Sequence, residues 1–174
     1  MSDRVTAIFL RAVNVSGRTV RPKDLAAQLG LVNIGAAWTF LTKEDPENVI
    51  RSLAYAIPFD VDVFAIPLQE LAELVAEQPF GPHPAEDGVK RYVTILPEAP
   101  ASPFGHPRRI PDWDRWEVNV IALRGRFALS LHRRQGPRLR YYPNQVIEKA
   151  LGVSATTRNW NTIQTILKKA RDSS

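Results

Sequence analysis

Arginine dominates the side chains of this sequence that are able to carry chemistry. Arg124, Arg126, Arg133, Arg134, Arg138 and Arg140 crowd one interval, with His132, Tyr141 and Tyr142 among them. Single-stranded nucleic acid is held by this combination: cations neutralise phosphates while aromatic rings stack on bases. The same arginines flank turn residues, where solvated charge is the ordinary outcome, and no established nucleic-acid motif accompanies them. His83, His106 and His132 lie 23 and 26 residues apart, without the close spacing of metal ligands. Asp112, Asp114 and Glu117 gather around Trp113 and Trp116 and offer oxygen ligands of the kind a divalent cation takes, but no metal site is expected. Glu44, Asp45 and Glu47 are better explained as the start of a helix. No serine has a nucleophile-elbow context. The absence of cysteine removes disulfides, thiolate metal sites and cysteine nucleophiles. The sequence names no catalytic centre and no cofactor, and leaves open whether the chain is an enzyme.

A second candidate lies near the start. The apolar run Thr6–Val13 reads as a strand, the segment 14–21 as a loop, and Pro22 as the first residue of a helix. A strand-to-helix junction presents backbone N–H groups and a positive helix end to an anion, and Arg11 and Arg18 add charge. Gly17 is the one glycine between Arg11 and Val20, and neither phosphate-loop nor dinucleotide spacing is present. An ordinary connection is the favoured reading of the loop.

Charge is unevenly spread over the 174 residues. Residues 1–87 hold seven Lys/Arg against twelve Asp/Glu, a net −5, whereas 88–174 hold sixteen against six, a net +10. Such asymmetry points to an anionic partner for the basic half; solvated charge or mutual attraction of the halves is the plainer alternative. With 44% hydrophobic residues the chain can bury a substantial core. The N-terminus lacks the basic start and apolar stretch of a signal peptide, and no run approaches the ~18 apolar residues of a membrane span. Together with the missing cysteines this predicts a cytoplasmic chain without membrane contact.

The elements that must position these residues follow from periodicity. The first half reads strand, helix, strand, helix, strand, helix: strands at 6–13, 34–41 and 61–64, helices from Pro22, from Asp45-Pro46 and over 67–77. That is a ferredoxin-like pattern short of one strand. A strand at 91–96 comes next, then five prolines between 97 and 111, which predict an exposed loop. Period-two alternation at 116–123, 127–133 and 139–142, broken by Arg124-Gly125 and Gln135-Gly136-Pro137, predicts a three-stranded antiparallel meander. Helices at 144–151 and 159–171 close the chain, the latter burying Trp160, Ile163, Ile166, Leu167 and Ala170, with Thr157 or Asn159 as its cap.

Four segments carry a resemblance. Thr156-Thr157-Arg158-Asn159-Trp160-Asn161-Thr162 is similar to the C-terminal hallmark of the bacterial "domain of unknown function 1697" family. Phe9–Gly17 resembles that family's L-R-G-I-N-V-G-G opening, Gln78-Pro79-Phe80 its N-P-F element, and Tyr142-Pro143-Asn144 its Y-P-N-G element. The likeness covers nearly the whole chain and implies an α+β fold of two related halves, without an established activity. Ala12, Ser16 and Gln145 stand where that pattern has glycine, and the Q-S-G-N stretch expected near 38–43 is absent.

The expected fold is therefore α+β: two packed α+β halves, the first (1–80) ferredoxin-like, the second (90–174) an antiparallel meander with C-terminal helices, joined by a connector at 81–89. The basic half is expected to contact nucleic acid. The alternative is a small anionic ligand or substrate in a polar cleft between the halves, lined by Arg11, Asn14, Arg158 and Asn161.

Overall fold

The computed structural model describes residues 4–11, 20–58, 60–81, 86–102, 105 and 108–173. It is an α+β fold with two antiparallel sheets. The chain divides into two compact units, Met1–Ala76 with Asn161–Ser174, and Glu77–Trp160. Counted by unit, the charge split changes. The first holds ten Lys/Arg and ten Asp/Glu and is neutral; the second holds thirteen against eight, a net +5. The basic excess belongs to the second unit, and opposite net charges no longer supply an attraction.

Unit 1 follows the order β1 (Thr6–Arg11), α1 (Pro22–Leu29), β2 (Val32–Asn33), β3 (Thr39–Thr42), α2 (Pro46–Ala56), β4 (Asp62–Pro67), α3 (Leu68–Ala76). Its sheet runs β2-β3-β1-β4. β1 is central and buried on both faces, which is why it reads as an unbroken apolar run rather than an alternating one. Ile8, Leu10 and Phe40 pack with Leu25 and Ala26 of α1 and Val49 and Leu53 of α2. The single strand expected at 34–41 is two strands, 32–33 and 39–42, separated by a turn with Gly35 at φ 61; glycine takes that conformation without a Cβ clash. Asp45 caps α2 as expected, its carboxylate accepting from the Glu47 N–H at 2.9 Å and the Asn48 N–H at 3.4 Å, a bond worth about 1 kcal/mol.

Unit 2 contains β5 (Lys90–Ile95), β6 (Arg108–Ile110), β7 (Val118–Arg124), β8 (Phe127–His132), α4 (Pro143–Leu151) and β9 (Thr156–Asn159), in sheet order β6-β7-β8-β5-β9. The helix α5 (Trp160–Asp172) follows at once. α4 covers one face of the sheet, where Ile147 joins Val118, Val120 and Ala128 in a buried cluster.

Three expectations fail here for local reasons. Residues 139–142 are no strand; Tyr141 instead offers its carbonyl to His132 Nε2 at 3.0 Å, and Tyr142 precedes α4, with Pro143 at its first position. The proline loop holds β6 immediately before Pro111, at the sheet edge, where a missing N–H costs no ladder bond. Thr157 caps nothing: it lies in β9, paired with Thr94.

Candidate functional site

Strand polarity separates the six candidate arginines into two groups. Arg124 and Arg126 belong to the β7–β8 hairpin, whereas the β6–β7 connection (111–117) and the segment 133–142 leave the sheet at the other end, beside Lys90. β7 spans seven residues, so the ends are roughly 20 Å apart. Arg124 is committed to Glu77, with Nε 3.3 Å from the carboxylate. At the opposite end Arg133 is half-buried, Arg140 faces Glu117 at 3.8 Å, and Arg134 and Arg138 are exposed. The six are thus divided between the two ends of the sheet.

The end opposite the hairpin carries an arrangement the sequence reading missed. The Arg109 guanidinium lies 3.9 Å from the Trp113 ring centroid and 5.9 Å from that of Trp116, and the Arg133 guanidinium lies 4.0 Å from Trp116. Arg109 thus approaches both indoles and Arg133 the second, each close contact worth about 1 kcal/mol. Backbone carbonyls fix the cations. Arg109 donates to Trp113 O at 3.1 Å, and Arg133 donates to Trp116 O and Asp114 O, both at 2.8 Å. Trp116 is buried, but Trp113 remains 59% exposed and offers indole surface to a further ring. The sequence showed these residues only as the end of a proline loop, up to Pro111, and an acidic cluster around Trp113 and Trp116.

The acidic residues inside this end do not make a metal centre. Asp112 Oδ1 accepts from the N–H groups of Asp114 at 3.1 Å and Arg115 at 2.6 Å, an Asx-type turn. Among the described residues no group of three or more His, Cys, Asp or Glu could hold a metal ion. His83 and His106 lie outside the described residues.

The Tyr142-Pro143-Asn144 and Thr156–Trp160 segments meet inside unit 2. Thr157 Oγ1 donates to Asn144 Oδ1 at 2.9 Å and lies 2.7 Å from Thr94 Oγ1. Asn144 Nδ2 donates to Glu148 Oε1 at 2.9 Å, which also accepts the Ala155 N–H at 3.0 Å. Beside this chain Tyr92, His132 and Tyr142 form a triangle of edge-to-face rings with centroids 5.3 to 5.9 Å apart. Burial, reinforced by Tyr92, pushes the Tyr142 phenol well above its usual value. Burial also holds His132 below 6.5, against the opposing pull of the Tyr141 carbonyl and Glu117. These groups stay neutral near pH 7 and clamp α4 onto the sheet.

The four residues expected to share a polar pocket are distributed as follows. Arg11 ends β1 and donates to Asp62 Oδ2 at 3.2 Å, its cross-strand neighbour in β4. Both border a recess of about 330 Å³ together with Ile50, Ala54, Asp60, Val61 and Val63. Asn14 lies outside the described residues. Asn161 sits in the first turn of α5, where its carbonyl accepts from Thr165 Oγ1. Arg158 is buried in β9 and donates to Thr156 Oγ1 at 2.6 Å and Thr157 O at 2.9 Å; burial lowers its pKa to about 10. Arg11 and Asn161 belong to unit 1 and Arg158 to unit 2.

Fold and site define an α+β protein of two units, the second presenting a basic, aromatic sheet end. Among the described residues no helix is long and apolar enough to cross a membrane. No protein-family model, curated protein or solved structure matches the chain.

Proposed function

We propose that unit 2 is a nucleic-acid-binding module that takes single strands at the sheet end formed by the β6–β7 connection and residues 133–142. The observation that carries this reading is the Trp113–Arg109–Trp116–Arg133 stack with its open indole. Every base has a π-face, so an exposed indole beside cations is a sequence-tolerant platform. Arg134 and Arg138 supply exposed charge for the phosphates. A cytoplasmic setting and membership of the "domain of unknown function 1697" family belong to the same reading and rest on the sequence marks alone. A ferredoxin-like unit 1 is supported by its βαββαβ order and its β2-β3-β1-β4 sheet.

Fluorescence anisotropy with a labelled fifteen-nucleotide oligothymidine tests the proposal. Binding at low salt should weaken as salt rises, with a log–log slope of about −0.7 per phosphate neutralised, and Trp113→Ala should weaken it roughly tenfold, the loss of one stacked base. Absence of binding at low salt overturns the reading.

A further inference from the structure

Glu117 is the least explained charged residue of unit 2. It sits one residue before β7, at the same sheet end as the indole stack, and its side chain is 1% exposed. Neither carboxylate oxygen has a hydrogen bond. Its ion pair with Arg140 is loose: Arg140 Nε lies 3.8 Å from Oε2 on a side chain that is 66% exposed. The backbone around it is firmly held. Its N–H donates to Ile110 O at 2.7 Å, and its carbonyl accepts from the Arg133 N–H at 2.9 Å. Asn119, two residues on, also leaves its amide oxygen buried without a partner, and so does Nε of Arg109, its cross-strand neighbour. Buried polar groups are normally paired, and an unpaired carboxylate is the costliest of them. Three acceptor atoms and one donor are thus left open on β6, β7 and the residue before it, at the sheet end that carries the indoles.

We propose that Glu117 reads a guanine base stacked against the tryptophan–arginine run, an inference that rests on the nucleic-acid reading above. Two carboxylate oxygens need two N–H donors side by side. Guanine presents such a pair on its Watson–Crick edge, the ring N–H and the adjacent exocyclic amine, with a carbonyl acceptor beyond. Adenine and cytosine pair one exocyclic amine with an acceptor ring nitrogen, which repels the second oxygen. Thymine sets its single ring N–H between two carbonyls. The base enters by displacing Arg140, exchanging a 3.8 Å ion pair for two direct hydrogen bonds.

The test uses the full chain and a fifteen-nucleotide oligothymidine carrying one central deoxyguanosine, deoxyinosine, deoxyadenosine or deoxycytidine. The guanine strand should bind about tenfold tighter than the adenine and cytosine strands, the discrimination that one bidentate pair supplies. Inosine, which lacks the exocyclic amine, should lose most of that preference. Glu117→Gln should abolish the preference, and Arg140→Gln should keep it. Should Glu117→Gln fail to fold, Glu117→Asp serves in its place and should reduce it. Guanosine monophosphate should compete at this site where adenosine monophosphate does not; competition without any strand preference overturns the proposal in favour of a free nucleotide. Equal binding of all strands, a preference for cytosine or adenine, or a preference that survives Glu117→Gln also overturns it. No binding to any strand removes the nucleic-acid reading as well.

Discussion

The rings of Phe80 and Trp160 meet edge to face, with centroids 5.1 Å apart and planes at 67°. Both side chains are buried, and the Arg91 guanidinium approaches the Phe80 ring at 5.7 Å. The Gln78-Pro79-Phe80 segment and the Thr156–Trp160 segment therefore touch through their aromatic ends. What sequence spacing leaves as separate motifs is one packing unit on unit 2.

The pair should be costly to break. Trp160→Ala and Phe80→Ala should each destabilise by about 3–5 kcal/mol, as large aromatic truncations do in cores. The double variant should lose about 0.5–1.5 kcal/mol less than the sum, the coupling of an edge-to-face contact. Urea unfolding of the three variants checks this. A loss well under 1 kcal/mol for Trp160→Ala would show its ring to be free for another partner.

How much of this was legible in the sequence depends on where the deciding force lies. Local signals worked where backbone chemistry decides: Asp45-Pro46 began α2, and Gly152, at φ 66, ended α4. β9 was missed because Thr156-Thr157-Arg158-Asn159 has no apolar alternation; its strand state comes from pairing with β5 and from the Thr94–Thr157 contact, both non-local. Residues 139–142 have the opposite history. They alternate like a strand, yet a tertiary contact to His132 claims the Tyr141 carbonyl instead. Glu117 was legible only as one of three acids around Trp113 and Trp116; its burial between Trp116 and Val118 is a property of the assembled sheet. The arginine cluster was legible as composition but not as geometry, since hairpin polarity alone sends Arg124 and Arg126 to the far end.

His132 makes stability depend on pH. Burial holds its pKa below 6.5; Lys90 and Arg134 press the same way, while Tyr141 O and Glu117 oppose. The unfolded imidazole takes a proton near pH 6.5, and the folded one resists it. The associated stability is present above pH 6.5 and is lost as pH falls below that value toward the folded pKa. Acidification from pH 7.5 to 5.5 should therefore lower the urea midpoint more in the wild type than in His132→Gln. Parallel curves for the two proteins would mean that the imidazole titrates alike in both states, and a proton NMR titration of the ring reads the folded pKa directly.

The last prediction separates the two ends of the sheet. Arg134 and Arg138 are exposed at the sheet end that carries the indoles, whereas Arg124 and Arg126 flank the β7–β8 turn at the far end, with Arg124 paired to Glu77. If phosphates follow the stack, only the first pair contributes. Replacing Arg134 and Arg138 together by Gln should weaken oligothymidine binding at low salt and make the log–log salt slope shallower by about 1.4, two single-strand phosphates. Replacing Arg124 and Arg126 by Gln changes the net charge equally, so it controls for long-range attraction, and it should leave the slope unchanged. Equal losses from both double variants would mean that the strand feels only the overall charge of the unit. A larger loss from the hairpin pair would place the binding surface at the other end, away from Trp113.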